Sequence, residues 1–169
     1  PLPKIFRLTK GGKLLEEVFQ AATINTPSML CIEDAIDAME WGKSLGGLTA
    51  MQARADANFK VLADWVAKTD WVDFLAKNPA NRSNTSVCLS IVDPVVTALD
   101  ADKQAAFAKA IVARLDKAGV AYDIGAYKDA PSGLRIWAGS TVEASDLEAV
   151  TPWLDWAFAE ELNALKAAA

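Results

Sequence analysis

The sequence predicts an α/β chain whose second part is a small α+β domain: a mixed or antiparallel sheet with helices packed on one face. Three observations carry this. Apolar residues recur at helical spacing as far as Lys68, and from Trp71 the period changes to strand-like alternation. Beyond that point the segments run β-β-α-β-β-α, an order that one helix-covered sheet accommodates. No internal repeat and no low-complexity linker interrupts the chain. The shift at Lys68–Trp71 divides it into residues 1–69, mostly helical, and residues 70–169, the small domain.

Residues Pro1 to Thr23 are poorly periodic and contain a basic turn, Lys10-Gly11-Gly12-Lys13. Such a turn can cradle a phosphate, but a solvated turn is the plainer reading. Thr26 as N-cap and Pro27 as first helical residue predict a helix through Leu45, with Met29, Ile32, Ile36 and Met39 on one face. Gly46-Gly47 ends it. A second helix is expected from Leu48 to Lys68, with a core-facing stripe of Leu48, Met51, Ala55, Leu62 and Trp65. Val72–Leu75 and Ser86–Val92 read as strands, and Asp100 caps a helix that Gly119 stops at Ala118. Val120–Ile124 and Leu134–Ala138 read as two further strands around a polar loop. Ser145 with Glu148 makes a capping box for a last helix, and Pro152 predicts a kink or restart within it.

With 17 basic against 22 acidic residues the net charge is −5, which argues against a nucleic-acid surface or a basic membrane patch. No apolar run reaches the roughly 18 residues of a membrane span. Cys31 and Cys88 lie far apart within apolar patterns and read as buried free thiols of a reducing cytoplasm, with no metal site. The absence of histidine excludes Ser–His–Asp and Cys–His catalysis and histidine metal ligation. Arg135, alone among apolar neighbours on the strand after a polar loop, suits bidentate capture of a carboxylate or phosphate. An exposed arginine on the polar face of a strand fits the same spacing.

Four stretches in register carry a resemblance across nearly the whole chain: Thr23-Ile-Asn-Thr-Pro, Arg82-Ser-Asn-Thr-Ser-Val, Gly133-Leu-Arg-Ile-Trp and Val142-Glu-Ala-Ser-Asp-Leu. Together they resemble the C-terminal portion of the phosphoserine aminotransferase family, class V enzymes of fold type I that use pyridoxal phosphate, and look most like the alphaproteobacterial form. The resemblance implies the end of the large domain and connecting helices in residues 1–69, and the C-terminal small domain in 70–169. It implies a cytoplasmic homodimer with shared active sites. Asn25 and Thr26 match positions that bind the cofactor phosphate across the dimer, as a helix start favours. Arg135 matches the arginine that holds the substrate carboxylate. Where some members place a His-Arg pair against the substrate phosphate, this chain offers Tyr127-Lys128, so Lys128 is the candidate there.

The family's Schiff-base lysine lies upstream of the matched region, and none of the twelve lysines here takes its position. With the opening Pro-Leu-Pro-Lys-Ile-Phe, this points to a fragment, inactive alone, of an enzyme that makes phosphoserine from glutamate and 3-phosphohydroxypyruvate in serine biosynthesis. Two other readings remain: a class V aminotransferase for a non-phosphorylated amino acid, and a non-catalytic binding or assembly module.

Overall fold

The computed structural model describes Pro3, residues 6–23 and residues 25–167. Ile24 of the Thr23–Pro27 motif and the end of the alanine-rich tail lie outside them. The chain divides into two compact units, Pro1–Leu45 and Gly46–Ala169.

In the first unit, β1 (Thr9–Lys10) and β2 (Lys13–Leu14) pair antiparallel around Gly11-Gly12. Both glycines have positive φ, 59° and 77°, as a tight two-residue hairpin requires. The basic turn is therefore the end of a hairpin. Helix α1 spans Met29–Ser44, and its cap is Ser28 rather than the expected Thr26: the Ser28 hydroxyl accepts from the Cys31 N–H at 3.5 Å. Thr26 and Ser28 can both cap, and here Ser28 takes the extended backbone (φ −70°, ψ 109°) and the cap hydrogen bond, so the first turn starts two residues later. Met29, Ile36 and Met39 keep helical spacing but are exposed, and so is Cys31, which was expected to be buried. Among the described residues of this unit only Gly42 is buried.

The second unit is built on an antiparallel sheet, β3 (Val72–Phe74), β4 (Ser86–Ile91) and β5 (Leu134–Trp137), in that spatial order. The register sets Phe74 opposite Leu89, Leu89 opposite Leu134 and Val87 opposite Ile136. Alternation then sends Val72, Phe74, Val87, Leu89, Leu134 and Ile136 to one buried face. That face joins a single core with residues of α2 (Gly47–Val66), the short α3 (Pro94–Thr97), α4 (Ala101–Lys117) and α5 (Ala144–Ala167). Leu62, Ile111, Leu115 and Leu154 are fully buried there. Asp100 caps α4 by accepting the Lys103 N–H at 2.9 Å, as the sequence predicts. Helix α2 packs on α5, so the compact unit begins well upstream of the composition shift at Lys68–Trp71. Of its expected stripe, Ala55 and Leu62 are buried while Leu48 is exposed.

Two elements differ from expectation. Residues 120–124 form no strand: Asp123 has a φ of 52°, which breaks the extended run, and contact with β5 reduces to a bridge between Gly125 and Leu134. Helix α5 begins at Ala144, so Ser145 lies within its first turn instead of capping it, and the helix runs on through Pro152. Proline has no N–H for the Glu148 carbonyl four residues back. The Thr151 hydroxyl donates to that carbonyl at 3.1 Å and makes up for the missing bond, so the helix does not restart there.

Candidate functional site

Strand β5 presents Arg135. Its neighbours Leu134 and Ile136 enter the core, so Arg135 and Trp137 leave by the opposite face, across from Cys88 and Ser86 of β4. The Arg135 side chain is 32% exposed, and its terminal nitrogen lies 3.2 Å from a carboxylate oxygen of the outward-facing Asp123. The pair belongs to a cavity of about 510 Å³ whose polar lining includes Ser86, Asp123, Arg135 and Asp146, with Trp137 and Tyr122 as aromatic walls. A guanidinium carries five N–H donors in a planar fork, so one contact to Asp123 leaves most of them for an incoming anion. Exposed ion pairs are worth about 0–1 kcal/mol, so exchanging Asp123 for a ligand carboxylate is cheap.

The segment after β5 is held from α2. Asn58, only 2% exposed, donates its side-chain amide to the carbonyls of Ala138, Gly139 and Val142 at 3.2, 3.0 and 2.9 Å. One helical turn earlier, Arg54 donates to the Ser140 carbonyl at 2.9 Å and pairs with Glu143 at 2.6 Å. Sequence reading missed both residues. A signal was there for Asn58, because the spacing 55–58–62 puts it on the apolar stripe, where a polar side chain needs a reason.

The other expected site residues lie elsewhere. Lys128 is exposed on a turn closed by the Ala130 N–H to the Tyr127 carbonyl at 2.8 Å, and it does not line the cavity of Arg135. Asn25 and Thr26 are exposed, side by side, just ahead of α1, and the Asn25 carbonyl accepts the Thr23 hydroxyl at 2.7 Å. An amide, a hydroxyl and the first N–H groups of a helix form a donor set that fits a phosphate, although it brings no cation of its own. No cluster of three or more His, Cys, Asp or Glu side chains suited to a metal occurs among the described residues. No described helix is long and apolar enough to cross a membrane.

Solved structures supply the fold. A phosphoserine aminotransferase from Bacillus circulans subsp. alkalophilus matches 85% of this chain and 36% of its own, with a TM-score of 0.69 at 15% identity. A second, studied for radiation damage of the Schiff base in phosphoserine aminotransferase, matches 85% of this chain and 37% of its own, with a TM-score of 0.67 at 15% identity. At such identity the likeness establishes the fold alone, shared with about a third of each of those chains.

The sequence relatives narrow this. Phosphoserine aminotransferases of Methanosarcina mazei and Methanosarcina barkeri are each 48% identical over 158 residues, covering 94% of this chain and 40% of theirs. The chain is thus similar, over nearly its whole length, to a C-terminal portion of phosphoserine aminotransferase, and it spans about two fifths of the length of these relatives. No family model matches it.

Proposed function

We propose that this chain is the C-terminal part of a cytoplasmic, homodimeric phosphoserine aminotransferase, which moves an amino group from glutamate to 3-phosphohydroxypyruvate in serine biosynthesis. What supports the reading is 48% identity sustained across 94% of the chain, together with a half-buried arginine in a cavity at the position the resemblance assigns to the substrate carboxylate. Bound pyridoxal phosphate supplies the electron sink through which the amino group is exchanged. The chain's own residues do the holding. Arg135 orients the carboxylate that donor and acceptor share, Asn25 and Thr26 grip the cofactor phosphate of the other subunit, and Lys128 meets the substrate phosphate as a point charge.

Substitution of Arg135 in the complete enzyme tests this. Arg135→Ala is expected to cost about 2–5 kcal/mol in kcat/KM toward both substrates while cofactor retention holds, and Arg135→Lys to restore only part of the loss. Unchanged kinetics toward both substrates, with normal folding, would reduce Arg135 to an exposed strand residue.

One observation favours a second reading, an aminotransferase for a non-phosphorylated amino acid: among the described residues Arg135 is the one cation lining its cavity. Comparing phosphorylated and non-phosphorylated acceptors in the same assay decides between the two.

A further inference from the structure

We infer that Trp137 is a further substrate-contacting residue, an indole wall that shields the pair formed by Arg135 and the substrate carboxylate from water. The inference rests on the reading of Arg135 given above. Trp137 follows Arg135 by two residues on β5, so both side chains leave the same face of the sheet, and both line the same cavity.

Trp137 is 57% exposed, yet its ring is held in place. The indole N–H donates to the Thr141 hydroxyl at 3.3 Å. The ring also lies across Gly139, where an added Cβ would come within 2.5 Å of a ring carbon. Gly139 does not have the positive φ that would demand glycine, so a side chain there would have to move the ring from its place. The segment carrying Gly139 and Thr141 is in turn fixed by Asn58 and Arg54 from α2. A glycine, a hydroxyl and a hydrogen-bonded loop therefore converge on one aromatic side chain that the core leaves largely uncovered.

An indole is suited to that place. It offers a large, rigid apolar surface at small conformational cost, and beside a guanidinium it excludes water and strengthens a charge-assisted hydrogen bond. Amino donor and 2-oxo acceptor present the same carboxylate to Arg135, so the wall should serve both equally.

The test is steady-state kinetics on the complete holoenzyme. Trp137→Ala is expected to raise KM for glutamate and for the acceptor in parallel, each about tenfold. kcat and the thermal midpoint should stay near wild type, since the interaction is shared by ground and transition states. Trp137→Phe keeps a ring without the N–H, and Thr141→Val frees the indole; both should shift KM the same way by less. Unchanged KM for both substrates overturns the inference. A rise for one substrate alone also overturns it, because the ring would then meet the part in which they differ. Should Trp137→Ala fail to fold, Trp137→Phe and Thr141→Val decide by the same criterion. Arg135→Ala assayed alongside separates the two readings. If it raises both KM values and the Trp137 and Thr141 variants do not, only the indole wall is lost. If it changes neither, the carboxylate seat fails first.

Discussion

At Asp155 one carboxylate accepts two indole N–H groups, from Trp65 at 3.1 Å and from Trp71 at 2.8 Å. Trp71 in turn stacks on Phe158, with ring centroids 4.4 Å apart, and meets Trp65 edge-on at 5.7 Å. The side chain thus joins the end of α2, the approach to β3 and the middle of α5. Asp155→Ala would leave both indoles without an acceptor, at a cost of about 1–3 kcal/mol. Asp155→Asn retains one acceptor oxygen and should lose less. Urea unfolding of the two variants checks this, and equal losses would show that the indoles find water instead. Individual residues were unevenly legible in the sequence. Arg135 stood out because its neighbours are apolar, whereas Asp155 looked like an ordinary polar position on an amphipathic helix and Asn58, though out of place on an apolar stripe, gave no hint of its partners. Their partners lie 80 to 90 positions away in the chain, as with Asn58 and Ala138 or Asp155 and Trp65, and no local pattern encodes such a pairing.

Elements whose signals are local were read correctly. Helix α4 has its cap, its apolar stripe and its terminating glycine within twenty residues, and β4 alternates cleanly between core and opposite face. Segment 120–124 failed for the opposite reason: five alternating residues suffice for a pattern, but a strand also needs a partner along its length, and a left-handed Asp123 removes it. Helix α5 shows a breaker neutralised by its neighbour. If the Thr151 hydroxyl replaces the N–H that Pro152 lacks, Thr151→Val should cost about 1 kcal/mol in the natural chain. The same substitution should cost almost nothing in a Pro152→Ala background, where the backbone serves the Glu148 carbonyl again. Thermal unfolding of the four proteins of this double-mutant cycle measures the coupling. Equal costs in both backgrounds would mean that the hydroxyl is incidental.

Along the chain the proposed binding residues fall in different units, Arg135 and Lys128 in the second and Asn25 and Thr26 in the first. Because Ser28 caps α1, Asn25→Ala and Thr26→Ala each remove a proposed phosphate donor without removing the cap. In the complete enzyme Asn25→Ala is expected to weaken pyridoxal phosphate retention and leave the melting point of the cofactor-free protein unchanged. If the complete enzyme is the proposed homodimer, mixing Asn25→Ala subunits with subunits lacking the Schiff-base lysine tests the proposed contact between subunits. One site of each heterodimer then has a working lysine and an intact Asn25 from its partner, so activity should return toward half that of a normal dimer. Exchange of subunits without recovery would place the contact within one subunit or nowhere. The likeness to an aminotransferase portion was legible from four short stretches in order, whereas the packing boundary at Leu45 was not, because α2 carries the same helical period as α1 and only its burial against α5 assigns it to the second unit.

The clamp between α2 and the segment after β5 has a consequence for how this unit can change over time. A core held by volume alone tolerates repacking, since one apolar side chain can take over from another. Asn58 instead counts carbonyls, taking those of Ala138, Gly139 and Val142, while Arg54 takes that of Ser140. One residue inserted between Ala138 and Glu143 would throw that count out of step, whereas an insertion on the exposed turn around Lys128 disturbs no such tally. The length of the chain is therefore fixed by packing on one side of Arg135, whereas on the other only the proposed role of Lys128 would hold it.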